Sequence, residues 1–330
     1  MSIVLDAMGS DDHPEPELSA AVKAAELIDE EIILVGNEPE ILPKITKLNP
    51  KGYPVRVVHA PHVVEMDEKA VESTKQKPDN SMAVGMRLVS SGQARAFVTA
   101  GNTGAAFFNA ITIFRRLKGI SRPALTTTLP TQKGRIAFLD TGANADCRPE
   151  FLLEFAVMGS VYAKSVLDIE DPIIGLLANG EEDSKGNELV RATHKLLRKS
   201  KLNFYGNVEP KDIFNGVIDV LVADGFSGNI FLKTSEAVGR FIVRNIRAGI
   251  TASFTRKLGG LLVKPAFEPL RKMMDPAEVG AAMLLGVNGY VFIGHGKSND
   301  VALINGIKLA RHAVDNNLLE LLSESIQAQI

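Results

Sequence analysis

The sequence predicts an α/β fold on a mostly parallel sheet, and three observations carry that prediction. Short runs rich in β-branched residues alternate with amphipathic helical segments almost throughout. Most of those runs end in a turn rich in Gly, Asn and Asp. The chain has 330 residues, enough to bury a large core, and its composition of 45% hydrophobic and 23% charged residues is that of a globular protein.

The elements follow in order. The first strand is expected at Ile3–Leu5, running into the turn from Asp6 through Gly9 and Ser10 to Asp11. A helix over Pro16–Ile28 and strands at Ile32–Val35 and Val55–His59 come next. Met82–Ser90 has the helical period, and a strand at Ala96–Thr99 leads through Gly101 and Asn102 into a helix over Thr103–Leu117. A strand at Arg135–Leu139 runs into the loop Asp140–Asp146, before a helix over Pro149–Leu167 with proline in its first turn. A strand at Ile173–Leu177 precedes the polar loop Ala178–Asn187 and a helix over Asn187–Arg198. Val217–Ala223 runs into Asp224, Gly225, Phe226, Ser227, Gly228 and Asn229. Tyr290–Ile293 runs into Gly294, His295, Gly296, Lys297 and Ser298, before a helix over Asp300–Asn316. No fixed-period repeat and no Gly/Ser-rich linker interrupts the chain, so residues 1–330 read as one domain of two interleaved parts without a legible boundary.

In an open α/β sheet, ligands bind outside the carboxyl ends of the strands. Several glycine-rich turns there are read as walls of one composite polar site. The strand–glycine–helix start at Gly101–Gly104 suits an anion, because a helix N-terminus offers unpaired N–H groups and partial positive charge. Thr103 adds a hydroxyl and Asn102 an amide; an ordinary N-cap accounts for the same residues equally well. Lys185 and Asn187, beside Glu181, Glu182 and Asp183, read either as donors to an oxyanion or as a solvated loop.

Other classes are disfavoured. No G-x-G-x-x-G, Walker or G-x-S-x-G pattern occurs. The single cysteine, Cys147, excludes an internal disulfide, and as a lone loop thiol it reads as incidental to catalysis. His59, His62 and His295 are too scattered for a zinc site, so no metal and no cofactor is expected. A net charge of −2 argues against nucleic acid. No run approaches ~18 apolar residues. The first residues lack the pattern of a signal peptide, which implies a cytoplasmic protein.

The ordered blocks DAMGSD, TAGNTGA, LDTGANAD, GLLANGEEDSKGNEL, DVLVADGFSGNI and GHGKS, spread from Asp6 to Ser298, resemble the bacterial phosphate acyltransferase family PlsX over essentially the whole chain. The first block departs from the family in reading Gly9-Ser10 where a second glycine is usual. The resemblance implies a two-part α/β dimer with a cleft, similar to phosphotransacetylases and to isocitrate and isopropylmalate dehydrogenases. It implies transfer of a long-chain acyl group from acyl carrier protein to inorganic phosphate, feeding a membrane glycerol-3-phosphate acyltransferase in phospholipid synthesis. On that footing Lys185, Asn187, Asp224 and Asn229 are the catalytic candidates. Asp6, Gly9, Gly101, Asn102, Thr103, Gly104, Asn144, Gly225, Ser227, Gly228 and His295 are the substrate-binding candidates. A nicotinamide-dependent decarboxylating dehydrogenase of similar fold would need a metal-binding aspartate set that cannot be assigned here. A membrane-associated scaffold or lipid-metabolite sensor is the non-enzyme alternative.

Two surfaces complete the expectations. Ile230–Ile250 and Pro276–Gly289 are apolar and rich in small residues, and read as helices of a two-fold homodimer interface. Between Arg240 and Met274 the chain carries eight cations against the single carboxylate Glu268. The apolar residues Leu258, Leu261, Leu262, Val263 and Phe267 are interleaved with Lys264 and with Gly259, Gly260, Pro265 and Pro269. This reads as a helix–turn–helix tip over about residues 240–275 that docks on an anionic membrane surface, giving a cytoplasmic, peripherally membrane-associated protein. Acidic acyl carrier protein is the other partner such a patch would suit.

Overall fold

The computed structural model describes residues 2–329; for residues 269–274, 276 and 329 it describes the backbone alone. The described residues form, in order, β1 (Ser2–Asp6), α1 (Glu15–Ile28), β2 (Glu31–Gly36), α2 (Glu38–Leu48), β3 (Val55–His59), α3 (Ala70–Gln76), α4 (Ser81–Ser90), β4 (Ala96–Thr99), α5 (Thr103–Phe114), β5 (Ala124–Thr131), β6 (Gly134–Leu139), α6 (Pro149–Val166), β7 (Ile174–Leu177), α7 (Glu188–Lys199), β8 (Phe204–Val208), α8 (Pro210–Asn215), β9 (Val220–Val222), α9 (Gly225–Thr251), α10 (Phe254–Met274), α11 (Pro276–Val279), β10 (Ala282–Leu285), β11 (Tyr290–Ile293), α12 (Asp300–Asp315) and α13 (Leu318–Gln329).

These strands join in one sheet in the order β3-β2-β1-β4-β11-β10-β5-β6-β9-β7-β8. Among the described residues seven strand pairs are parallel and three antiparallel. Strands such as β1 and β2 are apolar runs buried on both faces, as parallel strands covered by helices must be. On one face α1 lays Ala20, Ala21, Ala24 and Ala25, all buried, beside α12. Farther along, α6 is buried for most of its length and crosses β6 and β9 closely, because a Cβ at Gly159 would meet Val220 and Leu139.

The three antiparallel pairs, β11–β10, β10–β5 and β5–β6, sit together in the middle. They reverse the direction of the sheet. Strands β1, β4 and β11 point one way, and β6, β9 and β7 point the other. Their loops therefore leave the sheet at opposite rims, which corrects the expectation of one composite site built from all six turns.

Two further expectations change. Pro276–Gly289 is not an interface helix: its middle is β10, whose Met283, Leu284 and Leu285 are buried inside the chain between β5 and β11. Its apolar character belongs to the core. The expected helix–turn–helix over about residues 240–275 is present, but its glycines do not make the turn. A hairpin of α9 and α10 turns at Ala252–Ser253, and the two glycines and Pro265 lie inside α10. Gly260 marks the close crossing of the pair, where a Cβ would come within 2.3 Å of Ile250 Cγ2. Leu258, Leu261, Leu262, Val263, Lys264 and Phe267 are exposed along α10, with Leu262 82% accessible. Among the described residues no helix is long and apolar enough to cross a membrane.

Candidate active site

Strands β6, β9 and β7 are adjacent and parallel, so the loops that follow them stand side by side at one rim. The buried carboxylate of Asp140 organises the first loop. Its Oδ1 accepts the N–H groups of Leu125 (3.0 Å), Gly142 (3.1 Å) and Ala143 (3.0 Å). Its Oδ2 accepts the backbone N–H (2.7 Å) and side-chain amide (2.9 Å) of Asn144. Burial pushes the Asp140 pKa up, and these hydrogen bonds oppose the push. Asn144 extends the grip: its amide donates to the carbonyl of Pro123 (2.7 Å), and its carbonyl accepts the N–H of Gly225 (2.8 Å).

Glycine lets α9 rest directly on this loop. A Cβ at Gly225 would lie 2.6 Å from the Asn144 carbonyl oxygen, and one at Gly228 would lie 2.0 Å from that of Asp140. Asp224 is the N-cap of α9, accepting the N–H groups of Phe226 (3.1 Å) and Ser227 (2.9 Å), while Gly228 N–H bonds to its carbonyl (2.8 Å). The N–H groups from Gly225 to Gly228 are thus all partnered. Asn187 likewise caps α7 through Val190 N–H (2.9 Å). Two side chains add donors at the rim. Asn229 is exposed with its amide nitrogen 2.8 Å from the place a Cβ would occupy at Gly142, and Lys185 is exposed above Gly180, 3.9 Å from Glu182.

The other rim gathers Asp6, Gly9, Gly101, Asn102, Thr103, Gly104 and His295. Thr99 joins two loops there, donating its hydroxyl to Asp6 (2.7 Å) and accepting Gly101 N–H (3.0 Å). Burial raises the Asp6 pKa, against hydrogen bonds from Thr99 and Ser81. Gly9 leaves no room for a side chain, since a Cβ would sit 2.9 Å from the amide nitrogens of Ala100 and Gly101. Asn102 caps α5 through Ala105 N–H (3.1 Å) and spends its amide on the carbonyls of Glu65, Met66 and Glu68 (3.2–3.3 Å). Thr103 remains exposed beside that acidic turn. His295 Nδ1 accepts the N–H of Lys297 (3.1 Å). A small cavity of about 230 Å³ opens between Gly9, Ser10, His13 and residues 64–67. The structure does not bring this group together with Lys185 and Asn229.

A larger cavity, about 730 Å³, adjoins the β6 loop. Arg116, Arg122 and Arg148 line it together with Asp146, Cys147 and Phe151. None of the three arginines belongs to a recognisable motif, so sequence reasoning missed them. The available signal was their position in turns beside Pro123 and Pro149. Cys147 donates its thiol to the Asn144 carbonyl (3.5 Å), and burial pushes its pKa up to about 12. At that pKa it is a neutral thiol near pH 7. The carboxylates of Glu181, Glu209 and Asp212 lie close enough together to share a cation, but Lys211 already bridges Glu181 and Glu209 at 2.9 Å.

A family model described as fatty acid synthesis protein matches residues 1–321. The phosphate acyltransferase of Desulfitobacterium hafniense is 45% identical over 330 residues, covering 99% of this chain and 98% of that protein. That of Geobacter sulfurreducens is 43% identical over 329 residues, covering 100% and 95%. Among solved structures, a phosphotransacetylase from Streptococcus pyogenes aligns with a TM-score of 0.62 at 21% identity, covering 94% of each chain. The EutD phosphotransacetylase from Staphylococcus aureus gives 0.60 at 19%, again over 94% of each. At such identities these likenesses show the fold, which is the α/β architecture expected.

Proposed function

This chain belongs to the phosphate acyltransferase family, and from that premise we propose that it transfers a long-chain acyl group from acyl carrier protein to inorganic phosphate at the β6 rim. The observation that supports the placement is the adjacency of three parallel strand ends, whose loops hold Asn144, Lys185 and Asn229; the first of these loops leads into the lining of the larger cavity.

A phosphate oxygen attacks the thioester carbonyl carbon, forming a C–O bond and a tetrahedral oxyanion. The intermediate then expels sulfur with the C–S electron pair. The products are acyl phosphate and the carrier's thiolate, which takes up a proton from phosphate or solvent. A thiolate is a stable leaving group near neutral pH, so the protein's task is positioning and charge stabilisation. Lys185 and Asn229 are the exposed donors suited to the oxyanion. Asp224 and Asn187 act through the helices that they cap. With Cys147 held as a neutral thiol, transfer is direct rather than through an acyl-enzyme. Gly9, Gly101 and the start of α5, with Asp6 and His295, would then serve a separate polar subsite. Incubating the protein with acyl carrier protein thioester and phosphate, then trapping product with hydroxylamine, tests the reading. Phosphate-dependent acyl hydroxamate supports it, and none overturns it.

The helical hairpin suits two associations. Its α9 exposes Val238, Phe241 and Ile242, a face that fits a homodimer, checked by light scattering at micromolar concentration. Its α10 sets exposed Leu258, Leu261 and Leu262 beside Arg256, Lys257 and Lys264, a pattern for reversible attachment to an anionic membrane. There a labile acyl phosphate would be released close to the membrane acyltransferase that consumes it.

A further inference from the structure

The cavity beside the β6 loop has a charge pattern that the reaction above does not yet use. Arg116, Arg122 and Arg148 face it from three segments: the turn after α5, the strand entry before β5, and the start of α6. Asp146 is the carboxylate that shares the lining. In a protein of net charge −2, this is a local excess of two positive charges.

Two of the arginines are held in place, and none of the three is ion-paired among the described residues. Arg116 donates to the carbonyl of Ser121. Arg122 lies over the ring of Phe151, 5.9 Å from its centroid. Glu154, one turn into α6, is occupied elsewhere: its two oxygens accept the N–H (2.8 Å) and hydroxyl (2.7 Å) of Ser121. It therefore shapes the turn between Arg116 and Arg122 without pairing with either. Among the described residues, ion pairs involve other arginines and none of these three. All three side chains are exposed to solvent, and together they give the cavity a positive local field that favours an anion. Guanidinium forks match the oxygens of a phosphoryl group in pairs.

We propose that Arg116, Arg122 and Arg148 form a binding site for a phosphoryl oxyanion, placed against the β6 loop where acyl transfer occurs. The inference rests on the acyl-transfer reading for its purpose, and on the cavity alone for its ligand chemistry. Two sources supply such a group: free inorganic phosphate, and the phosphodiester of the carrier's pantetheine arm. At about 730 Å³ the cavity has room for either.

The experiment uses Arg122→Gln and Arg148→Gln in the full chain, with circular dichroism and thermal unfolding as checks of folding. Inorganic phosphate is titrated calorimetrically into wild type and variants without any acyl donor, so the binding result stands even if no acyl phosphate is ever made. Steady-state rates are then measured against phosphate, against acyl carrier protein thioester, and against an acyl thioester of N-acetylcysteamine, which lacks the phosphodiester. If the site holds free phosphate, calorimetric affinity falls and KM for phosphate rises by about tenfold or more, with either acyl donor. If it holds the phosphodiester, KM for the carrier thioester rises by a similar factor, while phosphate binding and the N-acetylcysteamine reaction are unchanged. Folded variants that bind phosphate and carrier thioester as wild type does overturn the proposal.

Discussion

Glu17 accepts the N–H of Ser10 with one carboxylate oxygen at 2.9 Å and leaves its other oxygen buried without a partner. The residue is wholly inaccessible to solvent, and burial, reinforced by nearby Asp6, pushes its pKa up. A raised carboxylate keeps its proton in the folded state over a range where the unfolded chain, with a pKa of about 4.3, has released it. Folding then takes up a proton, and stability falls as pH rises from about 4.3 through the raised folded value. Glu17→Gln should shrink the difference between urea unfolding at pH 5 and at pH 8. Asp6 and Asp140 are raised as well, so part of the decline should persist. An undiminished pH dependence in the variant would mean that Glu17 is ionised in the folded protein.

The contact between Gly228 and the Asp140 carbonyl predicts a sensitive position. A methyl group there meets backbone, which cannot rotate away, so α9 must lift from the β6 loop. Gly228→Ala should cost about 1–3 kcal/mol in thermal or denaturant unfolding. It should also lower turnover, because Asn229 moves with the helix. Wild-type stability would show that α9 is not seated as described.

Lys185 has the opposite profile. Its pairing with Glu182 is long and exposed and contributes little to stability. Lys185→Ala should leave the melting temperature unchanged while lowering turnover at least about tenfold. Turnover near wild type would make Lys185 a solvated loop residue.

Cys147→Ser should retain activity, and the wild-type thiol should react slowly with iodoacetamide at pH 8. Both outcomes follow from a pKa pushed up to about 12. A folded but inactive serine variant would point instead to a covalent acyl-enzyme.

Leu258→Glu combined with Leu262→Glu should abolish sedimentation with anionic vesicles, since each puts a carboxylate on an exposed apolar face among cations. Activity with soluble carrier substrate should persist. Continued vesicle binding rejects the membrane reading. Loss of soluble activity in a folded protein moves the patch to carrier docking.

The alternation of strands and helices was legible because parallel strands buried on both faces leave strong apolar runs, as in Ile32–Val35. The central strands were not. β5 reads ALTTTLPT, half-buried and threonine-rich, and β10 lies in a segment whose glycines and alanines mimic a helix interface. Without those two strands the reversal of the sheet is invisible, and six loops that look alike seem to converge. At the site, Asp224 and Asn187 were legible as polar residues at strand ends, but their helix-capping bonds were not. The arginines of the larger cavity come from turns up to 32 positions apart and meet only in the fold.

The pairing of β4 with β11 joins Ala96 to Tyr290. During synthesis, the first four strands therefore emerge long before the strand that covers their open side. At ribosomal rates of roughly 5–20 residues per second, β4 waits on the order of 10–40 s for its neighbour. Throughout that interval Phe97 and Val98 lie on an unpaired ladder able to capture strands from other nascent chains. Fragments that end before residue 290 should therefore refold poorly, with aggregation rising with concentration, as light scattering after dilution from urea would read.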